Sequence, residues 1–130
     1  MNIHQKLALA CNSLHNIGVE LTDPVFTDDG QLCHITVGGF SKSGVAKLET
    51  QTECNEIWVH TRYAQIDRII VHEHDGPSDI VEQIAECALD WWRKSYARDP
   101  QTYQPSEQWK GYWLKKGWIK ENVTTVVTYS

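Results

Sequence analysis

Residues 32–71 read LCHITVGGFSKSGVAKLETQTECNEIWVHTRYAQIDRIIV, and this stretch decides the fold. Cys33, Ile35 and Val37 alternate with Leu32, His34 and Thr36, the period of two that marks a half-buried strand. Val45 to Gln51 alternates again, with Ala46, Leu48 and Thr50 on one side. In Glu56 to Arg62, Ile57, Val59 and Thr61 oppose Trp58, His60 and Arg62. A fourth apolar run, Ile66 to Val71, follows. The Gly38–Gly44 loop and the Thr52–Asn55 turn separate the runs, so the stretch predicts an antiparallel meander of three or four strands.

On the N-terminal side, Ile3, Leu7, Cys11 and Leu14 recur at helical spacing, and Gly18 stands where a helix would stop. The pattern predicts a helix over Ile3 to Asn16, then an irregular link from Val19 to Gly30 that holds Pro24 and the turn Asp28-Asp29-Gly30. On the C-terminal side, His72-Glu73-His74-Asp75-Gly76-Pro77 breaks the sheet. Ser78 or Asp79 is expected to cap a helix ending near Arg98. Ile80, Val81, Ile84, Ala85, Ala88, Leu89, Trp91, Trp92 and Tyr96 form its broad apolar stripe. Pro100 and Pro105 bracket a linker. Ser106 caps a last helix, Glu107 to Lys116, which Gly117 ends. Val123 to Tyr129 is rich in Val and Thr and is expected to return to an edge of the sheet.

Six tryptophans stand in 130 residues, five of them in the last forty. Adjacent residues on a helix point about 100° apart, so Trp91 and Trp92 cannot fill the same core layer. One is expected on the sheet, with the other meeting Trp109, Trp113 or a second chain. Trp92, Trp109 and Trp113 are therefore the expected interface, and a homo-oligomer, most simply a homodimer, the expected state.

Hydrophobic residues make up 41% and charged residues 22%, a globular composition in a length that fits one domain, residues 1–130. The net charge of −5 disfavours nucleic acid as a partner. The N-terminus lacks a basic start followed by an apolar stretch, and no run approaches a membrane span, so no membrane association is expected. Cys11, Cys33, Cys54 and Cys87 form no C-x-x-C pair. Three fall on apolar faces, which suits reduced thiols and a cytoplasmic location.

Few motifs carry chemistry. His72-x-His74 with Glu73 and Asp75 has the spacing of two metal ligands, but a third, from His34, His60 or Cys54, has no spacing to support it. The reading without a ligand is a polar turn. No nucleophile elbow is present, and the Gly38–Gly44 loop lacks phosphate-loop spacing while joining two strands. Such a loop can still bind an anion through backbone N–H groups. Thr61-Arg62-Tyr63-Ala64-Gln65-Ile66-Asp67-Arg68 is the densest polar and aromatic stretch. Its guanidiniums pair with phosphate or carboxylate and its phenol stacks. Arg62, Tyr63 and Arg68, with Lys42 from the neighbouring loop, are the expected anion-accepting site. The structural alternative is an Arg62–Asp67 ion pair tying the turn.

The segment ending Thr61-Arg62-Tyr63-Ala64-Gln65-Ile66-Asp67, the helix containing Leu89-Asp90-Trp91-Trp92-Arg93, and the pattern Trp109-x-x-x-Trp113-x-x-x-Gly117-Trp118 form a loose set over the C-terminal half. In these the chain resembles small uncharacterised accessory proteins of bacteriophages and prophages. The resemblance brings no catalytic residues. It implies a product that acts in the host cytoplasm against defence systems or modulates host enzymes.

The expectation is thus an α+β domain: an N-terminal helix and an antiparallel sheet of four or five strands, with two C-terminal helices covering one face. Its expected function is non-enzymatic binding of a host defence protein or a small nucleotide signal, with no cofactor. The alternatives are a small metal-dependent hydrolase using His72 and His74, and a nucleic-acid-binding accessory protein.

Overall fold

A computed structural model describes residues 1–40, 44–98, 106–123 and 127–129; the side chains of 96 and 122–129 lie outside that description. Lys42, the Pro100–Pro105 linker and the place of Tyr96 in the helical stripe fall outside it too.

Helix α1 spans Ile3–Asn16. Asn2 opens it: its side chain accepts from the Gln5 N–H, and the Gln5 side chain accepts from the Asn2 N–H. This reciprocal pair satisfies two of the orphan donors of the first turn. Ile3, Leu7, Ala10, Cys11 and Leu14 are buried along one stripe. Lys6 lies on the same stripe at 7% exposure, and its ammonium donates to the carbonyls of His72 (2.9 Å) and Glu73 (3.0 Å).

Five strands follow: β1 (Leu21–Phe26), β2 (Leu32–Gly38), β3 (Val45–Gln51), β4 (Glu56–His60) and β5 (Gln65–Ile70). They pair in sequence order, each antiparallel to the next. The link expected to be irregular is in fact strand β1. Pro24, a left-handed Asp23 (φ 54°) and two register shifts interrupt its pairing with β2, which hid its periodicity. The same features leave β1 a poor template for a further strand.

Helix α2 (Pro77–Arg98) begins with proline at its first position, where the missing N–H costs nothing. Asp79 reaches back to accept from the Gly76 N–H at 2.8 Å. The cap is therefore formed around Gly76, two or three residues before the one expected at Ser78 or Asp79. Helix α3 (Glu107–Lys116) has Ser106 as N-cap and left-handed Gly117 after it. Among the described residues, strands β6 (Glu121–Val123) and β7 (Val127–Tyr129) pair with each other and with no strand of the main sheet. The last strand therefore does not return to the main sheet as expected.

One core unites these layers. Ile35, Val37, Ala46, Leu48, Ile57, Val59 and Ile69 point from the sheet towards α1 and α2, which bring Leu7, Leu14, Ile80 and Ile84. Trp92, Trp109 and Trp113, expected at an interface, belong to the core of the single chain at 6%, 0% and 1% exposure. Trp113 lies 5.4 Å from Trp92 and 6.5 Å from Trp109 between ring centroids. Phe40 meets Trp109 edge-on at 6.0 Å. The physical reason is that α3 folds back on α2, and two of the indoles find backbone acceptors there. Trp109 donates to the Gly38 carbonyl (3.0 Å) and Trp113 to that of Ala85 (3.1 Å). Trp58, Trp91 and Trp118 are half-buried, so the exposed indoles that would call for a second copy are not found among the described residues.

Candidate functional site

The helices cover one face of the sheet and, among the described residues, leave the other open. Because side chains alternate along each strand, antiparallel register aligns the outward residues in rows across the sheet. One row runs His34, Glu49, Trp58, Arg68; the next runs Thr36, Lys47, His60, Gln65; a third runs Gln51, Glu56, Ile70. On β1, Thr22 faces Thr36 and their hydroxyls meet at 2.6 Å.

Two carboxylates organise this face. Glu49 accepts from the Gln51 amide at 2.8 Å, with Lys47 Nζ at 3.4 Å and His60 Nε2 at 3.8 Å. Glu56 accepts from Trp58 Nε1 at 2.7 Å and has Arg68 Nη1 at 3.9 Å. The indole N–H holds the Glu56 carboxyl below the usual carboxylate range, the nearby Cys54 thiol and Arg68 helping and partial desolvation opposing. His34 Nδ1 and His60 Nε2 are buried without a hydrogen-bond partner among the described residues. Exposure divides by sign. The side chains of Arg68 and Lys47 are 62% and 41% exposed, those of Glu49 and Glu56 33% and 14%. Ile70, at 54%, adds an exposed apolar contact at the β5 edge.

Of the residues expected to accept an anion, Arg68 lies on this face beside Trp58. Arg62 and Tyr63 occupy the β4–β5 turn, closed by the Thr61 N–H to the Ala64 carbonyl at 2.9 Å. The Arg62 guanidinium stands 5.8 Å from the centroid of the Tyr63 ring, which is itself 85% exposed. Four residues of extended chain, roughly 13 Å, separate position 62 from Trp58, the partner of Arg68. The three side chains therefore do not converge on a pocket. Lys42 lies outside the described residues. The Arg62–Asp67 ion pair is not formed: Asp67 turns to the helical side, where the Cys87 thiol donates to its Oδ2 at 3.0 Å.

His72 and His74 stack in parallel, with ring centroids 5.5 Å apart. His74 is 83% exposed and lies 3.6 Å from Asp75, and the His72 N–H donates to Asp75 Oδ2 at 2.8 Å. The buried ammonium of Lys6 ties this turn to α1. Among the described residues, no group of three or more His, Cys, Asp or Glu side chains is arranged to hold a metal ion.

Clefts lie elsewhere, two of them beside helices α1 and α3. One of about 340 Å³ opens beside the start of α1, lined by His4, Lys6, Asn55 and His72 among others. The other, about 630 Å³, runs along α3 past Ile17, Gly111 and Tyr112. Neither is lined by Arg62, Tyr63 or Arg68. All four cysteines are free; Cys11 and Cys87 are buried, Cys33 is half-buried and Cys54 exposed. No described helix is long and apolar enough to cross a membrane.

Sequence reasoning passed over Trp58, His60 and Glu49 as a group. Their alternation was visible, but the row that joins Glu49 to Trp58 exists only in the register. Comparison with protein-family models, with curated proteins and with solved structures gives no match.

Proposed function

We propose that the chain is a non-enzymatic binding protein that engages a protein partner across the outer face of its sheet. As an accessory product of the phage type, it would counter a host defence protein in this way, within the host cytoplasm. The observation that carries the reading is the open face itself, where half-buried Trp58 is flanked across the strands by Glu49 and Arg68 and along β4 by Glu56 and His60. A half-buried aromatic ringed by charges is the composition of an interface hot spot. A nucleotide signal would ask for a concave site with converging cations. Arg62 and Tyr63 lie on a turn and Arg68 on β5, and none of them lines a cleft described above, which favours the protein reading. A hydrolase based on His72 and His74 would need a third ligand beside an exposed, stacked pair.

The test places a photoreactive residue at position 51, on the outer face, or at position 9, exposed on α1, in host lysate. The adduct is identified by mass spectrometry, and the partner is then purified and titrated. The reading predicts an adduct from position 51 and none from position 9. Trp58→Ala should weaken the purified complex about tenfold or more. An adduct from position 9 alone, or an affinity indifferent to Trp58→Ala in a folded variant, would refute it.

A further inference from the structure

Resting on the reading of the outer face as a docking surface, we infer that the segment it receives is an acidic stretch of protein carrying an apolar residue between its carboxylates.

The chain as a whole is acidic, at −5, yet the outer face and its adjoining turn expose the opposite sign. Lys47 and Arg68 stand out from this face and Arg62 is exposed on the adjoining β4–β5 turn, with His34 and His60 in the rows of the sheet. The two carboxylates of the same rows are recessed and already engaged, Glu56 by the indole N–H and Glu49 by the Gln51 amide. Asp67, the one acidic residue of β5, is directed to Cys87 on the helical side. A partner approaching the face therefore meets cationic heads first, with carboxylate oxygens beneath them. Arg68 is held 3.9 Å from Glu56, beyond hydrogen-bond reach, so its donors are free to take a further carboxylate.

Apolar contacts complete the match. Trp58 lies half-buried between Glu49 and Arg68 in its row, and Ile70 is exposed one row away, beside Glu56. An apolar side chain seated there would leave flanking carboxylates within reach of Lys47 on one side and Arg68 on the other. A nucleic acid strand is the poorer occupant of the same charge. Its affinity comes from many phosphate contacts, and three cations with two carboxylates between them supply few.

The probe is a fluorescein-labelled peptide, Glu-Glu-Leu-Glu-Phe-Glu-Glu-Leu, followed by anisotropy at low and physiological salt. The comparisons are the same peptide with Lys for every Glu and a single-stranded oligonucleotide of similar charge. The Trp58 indole N–H resonance reports where the peptide sits. The acidic peptide should bind about tenfold or more tightly than either comparison and should shift that resonance. Arg68→Glu and Lys47→Glu should each reduce binding about tenfold, while Lys115→Glu on α3 should leave it unchanged. Should Arg68→Glu fail to fold, Arg68→Gln and Lys47→Gln remove the charge alone, and a several-fold loss is expected.

Tighter binding of the basic peptide, or of the oligonucleotide, would overturn the inference. So would an equal loss in the Lys115→Glu variant, which would mark the attraction as unspecific. The two readings fail separately. If position 51 cross-links to a partner and the acidic peptide does not bind, docking stands and the acidic partner falls. If the peptide binds and moves the Trp58 resonance while only position 9 cross-links, the acid-accepting face stands and its use in docking falls.

Discussion

The indole of Trp109 lies so close to the Cα of Gly39 that a Cβ built there would stand 2.7 Å from Trp109 Cδ1. It would also stand 2.8 Å from the Ser106 hydroxyl. The Trp109 N–H donates to the preceding carbonyl, that of Gly38, at 3.0 Å. This contact locks the start of α3 onto the end of β2, and it exists because residue 39 is glycine.

Gly39→Ala should therefore be strongly destabilising. It adds left-handed strain at φ 82° to a clash with an indole that has no room to retreat. Strain of this kind costs about 1–3 kcal/mol before the clash is added. Chemical denaturation should show a loss of at least about 2 kcal/mol. A variant within a few tenths of the parent would show that α3 does not dock as described.

Ile84 is fully buried in the seam between α2 and the rest of the core. Ile84→Asp would place an unpaired carboxylate there and should abolish cooperative unfolding, whereas Ile84→Val should cost only about 0.5–1.5 kcal/mol. A cooperative melt for the Asp variant near that of the parent would place the wrong helix face inside.

Thiol reactivity separates the cysteines by position. Burial pushes the Cys11 thiol up to about 12. For Cys87, burial first and then the Asp67 carboxylate push its pKa higher still. Both should stay protonated and unlabelled by iodoacetamide at mildly alkaline pH, while exposed Cys54 labels first. Reductant should leave the melting temperature unchanged, and intact mass should count four free thiols. Early labelling of Cys87 would contradict the Asp67 contact.

The Glu56 carboxyl offers a pH test. Its folded-state pKa is depressed below the ordinary 4.5, chiefly by the Trp58 N–H. The stabilisation is thus present above that value and is lost as pH falls through the lower, folded one. Carbon NMR titration of the carboxyl should show the depression, and Trp58→Phe, which keeps a ring but removes the donor, should raise the value. An unchanged Glu56 titration would mean that the indole bond does not form in solution.

Much of this architecture was legible as pattern. The bounds of α1 and α3 follow from apolar spacing and from their caps, Gln5 with Asn2 apart. The β2–β4 strands follow from alternation, and β5 from the apolar run Ile66 to Val71. Strand β1 was hidden because Asp23 and Pro24 break the period of two, although Thr22 and Val25 still find partners. The Val and Thr of Val123 to Tyr129 gave strand composition, which does not specify a pairing partner, and β6 pairs with β7. The tryptophans illustrate the same limit. Their spacing revealed a cluster, but whether Trp109 faces Gly38 or a second chain depends on how α3 docks against the sheet and α2. At the site, Arg68 and Trp58 were each visible, while their adjacency depends on a β4–β5 register that carries a shift next to His60.

The central claim is that the outer sheet face is the binding surface. Its most direct test is the affinity of the cross-linked, purified partner for two variants of equal stability, Trp58→Ala on that face and Tyr112→Ala beside the α3 cleft. The account predicts that Trp58→Ala weakens the complex about tenfold or more while Tyr112→Ala leaves it within about twofold of the parent. The reverse order would move the site to the helices and contradict the account.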